Sequence, residues 1–109
     1  MLPRDQRIHT DVDFKRMRVK GRKWQSPSFI ALYLPSNSEK SRLGIIVSAK
    51  IGKSVVRKRA SRVLRAAYVM VQPQLKQADL VLIARPYIRD KTSKDIKEEL
   101  EKMIKVWRL

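Results

Sequence analysis

The segment from Lys50 to Gln72 restricts the possible folds more than any other part of the chain. Val56, Ala60, Val63, Leu64, Ala67, Met70 and Val71 recur at helical spacing, and at about 100° per residue they share one side of a helix over residues 55–72. Lys58, Arg59, Arg62 and Arg65 cluster opposite them, with Arg57 on a flank. Such a helix must bury one side against an apolar layer and leave the other to water or to a polyanion. Ser54 is the expected N-cap. Gln72 is the expected end, because Pro73 disfavours helical dihedrals in the residue before it.

The charge order of this helix is unusual. The positive end of a helix dipole favours Asp or Glu, yet Lys53, Arg57, Lys58 and Arg59 occupy the region of the first turns and Lys50 stands just upstream. Free amides, a preceding glycine (Gly52) and several cations together make an anion site, and a phosphate there relieves the repulsion. A solvated basic face is the plainer reading, but solvation does not explain charges that oppose the dipole.

Composition agrees. The 109 residues suffice for one core, and 26 Lys and Arg against 10 Asp and Glu give a net charge of +16, which calls for a polyanionic partner, nucleic acid first among them. The excess is uneven: residues 1–89 hold 20 basic and 5 acidic side chains, residues 90–109 hold 6 and 5. The last twenty residues are therefore expected to face away from the partner. The absence of cysteine excludes disulfides and thiolate metal sites. No apolar run approaches the ~20 residues of a membrane span, and Met1 to Thr10 does not resemble a signal peptide. The expectation is one cytoplasmic domain over residues 1–109, with residues 1–9 an irregular, flexible arm.

Along the chain, Thr10 and Asp13 resemble a capping box that opens a short helix to about Lys20, closed by Gly21. On that helix Phe14 and Met17 share a face, and Lys15, Arg16, Arg18 and Lys20 add charge. Phe14 reads first as a packing anchor. Residues 22–27 are a basic connection with a brief edge strand, and residues 28–34 a strand apolar on both faces, with Phe29, Ala31 and Tyr33 alternating with Ile30, Leu32 and Leu34. A turn-rich loop at 35–41 leads to a strand over 42–49, most simply antiparallel to the one before. Residues 79–84 are a continuous apolar run typical of an interior strand, so strand, helix and strand suggest a parallel crossover, right-handed by general rules. Thr92 or Ser93 caps a last helix whose stripe is Ile96, Leu100, Met103, Ile104 and Trp107, with acids early and bases late.

Arg57, Arg59, Arg62 and Arg65, preceded by Lys50, Ile51, Gly52 and Lys53, resemble the basic signature helix of the protein subunit of bacterial ribonuclease P. Lys58 stands where that family has Asn, and Ser61 where it has Lys. The similarity continues in order through Asp13 and Phe14, Gly21, Arg42 to Gly44, Val47 and Ser48, and Leu82 to Arg85. It implies an α+β fold, a single-domain α/β sandwich in the order α-β-β-β-α-β-α with a left-handed βαβ crossover, and on handedness the expectation follows the resemblance. It further implies an accessory subunit whose partners are the catalytic RNA of ribonuclease P and precursor tRNA, with no membrane and no obligate protein partner. Mg²⁺ would be held mainly by the RNA. Lys50, Lys53, Arg57, Lys58, Arg59, Arg62 and Arg65 would bind RNA. Phe14, Arg18, Tyr33 and Arg65 would approach the 5′ leader, with Arg18 offering a planar surface where family members often carry a second aromatic.

Catalytic chemistry is sparse. His9 is the only histidine, so a His-based triad or zinc site is not expected. Asp79 and Asp90 flank the strand after the central helix as conceivable Mg²⁺ ligands, but capping and turn roles are commoner for Asp. A structural RNA-binding protein, for example a ribosomal one, needs only the same charge and core. A self-sufficient metal-dependent nuclease needs a carboxylate cluster that these residues do not supply.

Overall fold

Residues 78–84 hold the fold's centre because every side chain there except Ile83 is buried, so this strand must be covered on both faces and paired on both edges. A computed structural model describes residues 7–8, 11–35, 41–75 and 77–109. Its elements are α1 (Asp11–Lys20), β1 (Arg22–Gln25), β2 (Phe29–Pro35), β3 (Arg42–Ile46), α2 (Ser54–Val71), β4 (Ala78–Ala84) and α3 (Ser93–Trp107). The order α-β-β-β-α-β-α is the expected one. The proposed cap at Thr10, His9, and the loop residues 36–40 lie outside the described residues.

The sheet order is β1-β2-β4-β3. β4 runs antiparallel to β2 and parallel to β3, with Leu32 opposite Val81 and Leu43 opposite Leu80. This corrects the simplest sequence reading, in which β3 lies beside β2. β4 is inserted between them, because it is the strand with no polar face to offer solvent. The crossover from β3 through α2 to β4 is parallel, as expected. β3 also stops at Ile46, short of the expected Ala49, because the chain turns through a 3-10 segment, Ala49–Ile51, anchored by the buried Ile51.

Strand alternation sorts the side chains into two layers. Phe29, Ala31 and Tyr33 of β2, Leu80 and Leu82 of β4, and Leu43 of β3 meet α2 and α3 in the main core. Leu32 and Val81 meet Ile8 and Met17 in a smaller cluster on the other face, flanked by Phe14, Leu34, Ile46 and Ile83. The apolar duality of β2 is thus explained by helices on both sides. α2 buries Ala60, Leu64, Ala67, Tyr68 and Val71. Met70, expected on this face, is 46% exposed, and Tyr68 is buried in its stead, since the buried arc is centred one side chain away from the sequence-drawn stripe. α3 buries Ile96, Leu100, Met103 and Ile104 of its expected stripe and half-buries Trp107, and it is capped by Thr92, which forms a reciprocal box with Asp95.

Two polar seams close the layers. Asp79, fully buried, accepts from Arg42 Nε at 3.0 Å and Nη2 at 2.7 Å, and from Arg16 Nη2 at 3.0 Å. Arg42 also reaches Asp13 at 3.2 Å, so α1, β3 and β4 share one network. These carboxylates hold the Arg42 guanidinium still more firmly protonated than usual. On the opposite layer, Glu99 of α3 accepts from the Ser26 hydroxyl, from Ser28 N–H at 3.0 Å and from Ser28 Oγ at 2.6 Å, tying the β1–β2 turn to α3. Trp107 extends that seam, edge-on to Trp24 at 5.7 Å and beneath the Arg22 guanidinium at 4.3 Å. In the N-terminal arm, read from sequence as irregular, the described residues are tied to β3: Arg7 bridges to Leu43, and Ile8 N–H donates to Leu43 O at 2.8 Å.

Removing one partner of a buried charge network strands the other charges. Asp79→Ala is therefore expected to lower unfolding free energy by about 3–5 kcal/mol in urea titrations, and a loss below about 1 kcal/mol would contradict the role given to this network. Tyr68 behaves oppositely. Its hydroxyl is buried without a partner, and burial, helped by the negative charge of Asp79, pushes the phenol up to about 12 from the ordinary 10.0. The folded state thus keeps a proton that the unfolded chain releases above about pH 10, so the stability present below that pH declines as pH rises toward 12. Tyr68→Phe is expected to raise stability at pH 7 by about 1 kcal/mol and to remove this alkaline decline, as measured by urea unfolding at several pH values.

Candidate nucleic-acid interface

The basic edge of α2 starts with a helix that has no conventional cap. Lys53, with extended dihedrals, is the N-cap, and its carbonyl accepts the first helical bond from Arg57 N–H at 2.9 Å. The expected cap, Ser54, is already the first helical residue. No side chain caps this end and no acid lies in the first turn, so amide dipoles and cations point the same way. Gly52 makes the approach possible: its φ of 146° lies where side-chain-bearing residues are strained, and a Cβ there would sit 3.3 Å from Val56.

From this end the cations fan into three rows. Arg57, Ser61 and Arg65 follow i, i+4 spacing on the flank toward β3. Arg57, Lys58, Ser54 and Ser61, with Ile45 and Val47, line an open groove of about 360 Å³ between α2 and the end of β3. The Arg57 Nε is buried there without a hydrogen-bond partner. Lys58 and Arg62 form a second, exposed row, and Lys50 and Lys53 are exposed beside the helix start. Among the described residues, none of these six cations is in an ion pair. Uncompensated positive charge beside a groove with hydroxyls suits phosphate.

Arg59 belongs to a third row and behaves differently from expectation. Its Nη1 donates to Arg89 O and its Nη2 to Lys91 O, both at 2.9 Å. Its fork is thus occupied by backbone carbonyls of the loop before α3, whereas the sequence reading gave it to RNA. The sequence signal could not reveal this, because periodicity gives the direction of a side chain but not what stands there.

The four residues expected near a leader do not share one surface. Phe14 lies on the α1 face with its ring against Gly44, where a Cβ would come within 2.8 Å of Phe14 Cε1. It is half-buried, next to the partly covered Ile46 and Ile83, which is a packing role with an open edge. Arg18 is exposed on α1. Tyr33 must be corrected: it is 3% exposed on the opposite face, packed against Trp107 at 5.9 Å in the main core, and burial raises its phenol pKa. Arg65 belongs to the α2 layer, across the sheet from Phe14. Among the described residues no group of three or more His, Cys, Asp or Glu could hold a metal ion, and Asp79 is engaged by two arginines.

A small α+β protein with a basic helix that lacks a side-chain cap, set on a four-stranded sheet, offers a surface suited to a polyanion such as RNA. The Ribonuclease P family model matches residues 2–108, and the chain belongs to that family. It is 34% identical over 108 residues to the ribonuclease P protein component of Clostridium novyi (strain NT), with 95% of each chain covered. Its fold superposes on the Staphylococcus aureus RNase P protein with a TM-score of 0.81 at 29% identity, covering 93% of this chain and 94% of that one. The Thermotoga maritima RNase P protein gives 0.80 at 25% identity, with 92% and 96% covered. The family places the chain in ribonuclease P, the ribonucleoprotein that matures the 5′ ends of tRNAs. No helix among the described residues is long and apolar enough to cross a membrane.

Lys58 is exposed, in no ion pair among the described residues and one helical turn from Ser54, so it can offer a polyanion charge but no forked contact. Lys58→Asn, which restores the family's residue type, is expected to weaken binding to the ribonuclease P RNA only a few-fold and to lower the log-log salt slope by up to about one unit, with an unchanged melting temperature. Binding isotherms at several salt concentrations check this. An unchanged slope would remove Lys58 from the interface.

Proposed function

We propose that this chain binds the catalytic RNA of ribonuclease P through the α2 edge and supports removal of the 5′ leader without supplying catalytic groups of its own. The observation that carries the proposal is the α2 N-terminus itself, where Lys50, Lys53, Arg57, Lys58 and Arg62 surround a helix start with no side-chain cap and no acid in its first turn. Phosphates of a structured RNA satisfy both the amides and the cations, and the groove at Arg57 accepts one beside the Ser54 and Ser61 hydroxyls. Arg65 extends the same row.

The leader of precursor tRNA is assigned to the other layer. Phe14 presents a ring edge, Arg18 a free guanidinium, and the sheet face between them and Ile83 is partly open; a single strand takes such a mixture of stacking surface and charge. Mg²⁺ belongs with the RNA in this reading, activating water at the scissile phosphate. The protein's part is to hold RNA segments in place and to screen their mutual repulsion.

Purified protein alone is therefore expected to leave precursor tRNA intact, with 5′ cleavage restored on adding the partner RNA and Mg²⁺. Gel analysis of end-labelled substrate checks this. Sustained cleavage by nuclease-free protein alone would overturn the proposal.

A further inference from the structure

The turn before α2 and the loop before α3 exchange arginines. Arg89, in the 3-10 turn Pro86–Asp90, sends Nε to Ile51 O at 2.8 Å and Nη2 to Lys50 O at 3.4 Å. Arg59, in the second turn of α2, sends its two terminal nitrogens back to Arg89 O and Lys91 O. Four donors meet four carbonyls and no carboxylate takes part. Each segment also has a buried anchor, Ile51 at 1% and Ile88 at 0% exposure. Within the Lys50 turn itself, the described backbone bonds are two of 3-10 type, Ile51 N–H to Ser48 O at 3.1 Å and Gly52 N–H to Ala49 O at 3.2 Å.

We infer that Arg89 and Arg59 form a reciprocal clamp that positions Lys50 and Lys53 for RNA, so that Arg89, outside the basic helix, is a positioning residue of the interface. The inference rests on the reading of the α2 edge as the RNA surface. The turn to be held contains Gly52, whose backbone has the widest freedom of any residue type, and the helix beyond it has no side-chain cap. Left to itself, such a segment loses conformational entropy when RNA orders it, which weakens binding. A guanidinium fork spanning two successive carbonyls fixes the turn in advance, and carbonyls leave its charge uncancelled in a site meant for polyanions. Lysine cannot replace it, since a single ammonium has no fork to span both oxygens.

A direct phosphate contact by Arg89 is the competing explanation, and the two differ in measurable ways. Arg89→Ala, Arg89→Gln and Arg89→Lys are compared for affinity to the ribonuclease P RNA, each in the parent and in a Lys50→Ala, Lys53→Ala background, with melting temperatures and amide exchange recorded alongside. The clamp predicts that Arg89→Ala weakens binding about five- to tenfold, that neutral Gln, which can still donate to a carbonyl, retains more affinity than cationic Lys, and that the loss largely vanishes in the double-lysine background because nothing remains to be positioned. It also predicts at least about tenfold faster exchange of the Ile51 and Gly52 amides, with that of Leu64 unchanged. A phosphate contact gives rescue by Lys, an additive loss in the lysine background and a salt slope lower by about one unit, and that pattern overturns the clamp. Because the amide exchange needs no RNA, unchanged exchange overturns the clamp even if the α2 edge does bind RNA. A double-lysine variant with undiminished affinity instead overturns the interface reading, and the positioning role with it.

Discussion

The contact between Asp79 and Arg42 is the constraint on which the sheet depends. The two residues are register partners in neighbouring parallel strands, and the carboxylate has no access to water. Burying such a pair adds little net stability compared with a well-packed apolar alternative. Its effect is on specificity. A one-residue slip of β3 would turn Arg42 toward the α2 layer and strand Asp79 in the interior, so the network admits one register. By adding Arg16 and Asp13 it also fixes where α1 lies on the sheet, and hence where Phe14 meets Gly44.

On the other layer the protein solves a different electrostatic problem. α2 begins with cations where its dipole wants anions, and the structure does not neutralise them. It directs Arg59 into carbonyl dipoles and leaves the rest exposed, while α3, with Asp95 in its first turn and Lys105 in its last, complements its own dipole. Acidic side chains are used away from the basic edge: Asp79 and Asp13 across the sheet, Glu99 at the β1–β2 turn. The first turn of α2 thus stays free of acids, so a polyanion arriving there would meet no carboxylate on the helix start itself.

How much of this was legible in the sequence depended on whether a local rule applied. α2, α3 and β4 were readable because periodicity, a capping Thr92 and an unbroken apolar run are local signals. The neighbour of β3 was not, since sheet order is decided by which strand most needs covering, and the hairpin rule looks only at adjacent segments. Tyr33 was assigned to a surface because β2 is apolar on both faces and alternation cannot say which face meets which helix. Lys58 and Arg62, drawn on the face opposite the apolar stripe, are exposed there, and Arg57 is half-buried on its flank. The engagement of Arg59 and Arg89 was not legible, because their partners are main-chain carbonyls about 30 or more residues away, to which no residue pattern corresponds.

The insertion of β4 between β2 and β3 has a consequence for how the protein is made. During synthesis β1, β2 and β3 leave the ribosome first, but β2 and β3 share no ladder, and the strand that joins them is the last of the four to emerge. Until it does, the chain can form little more than a two-stranded ribbon and isolated helices, neither of which is stable alone. A highly charged, largely unstructured polypeptide is therefore present for most of translation, and the sheet closes late, through pairings distant in sequence that form slowly. The strong positive charge that suits the finished protein to RNA also keeps that waiting chain apart from its copies by mutual repulsion.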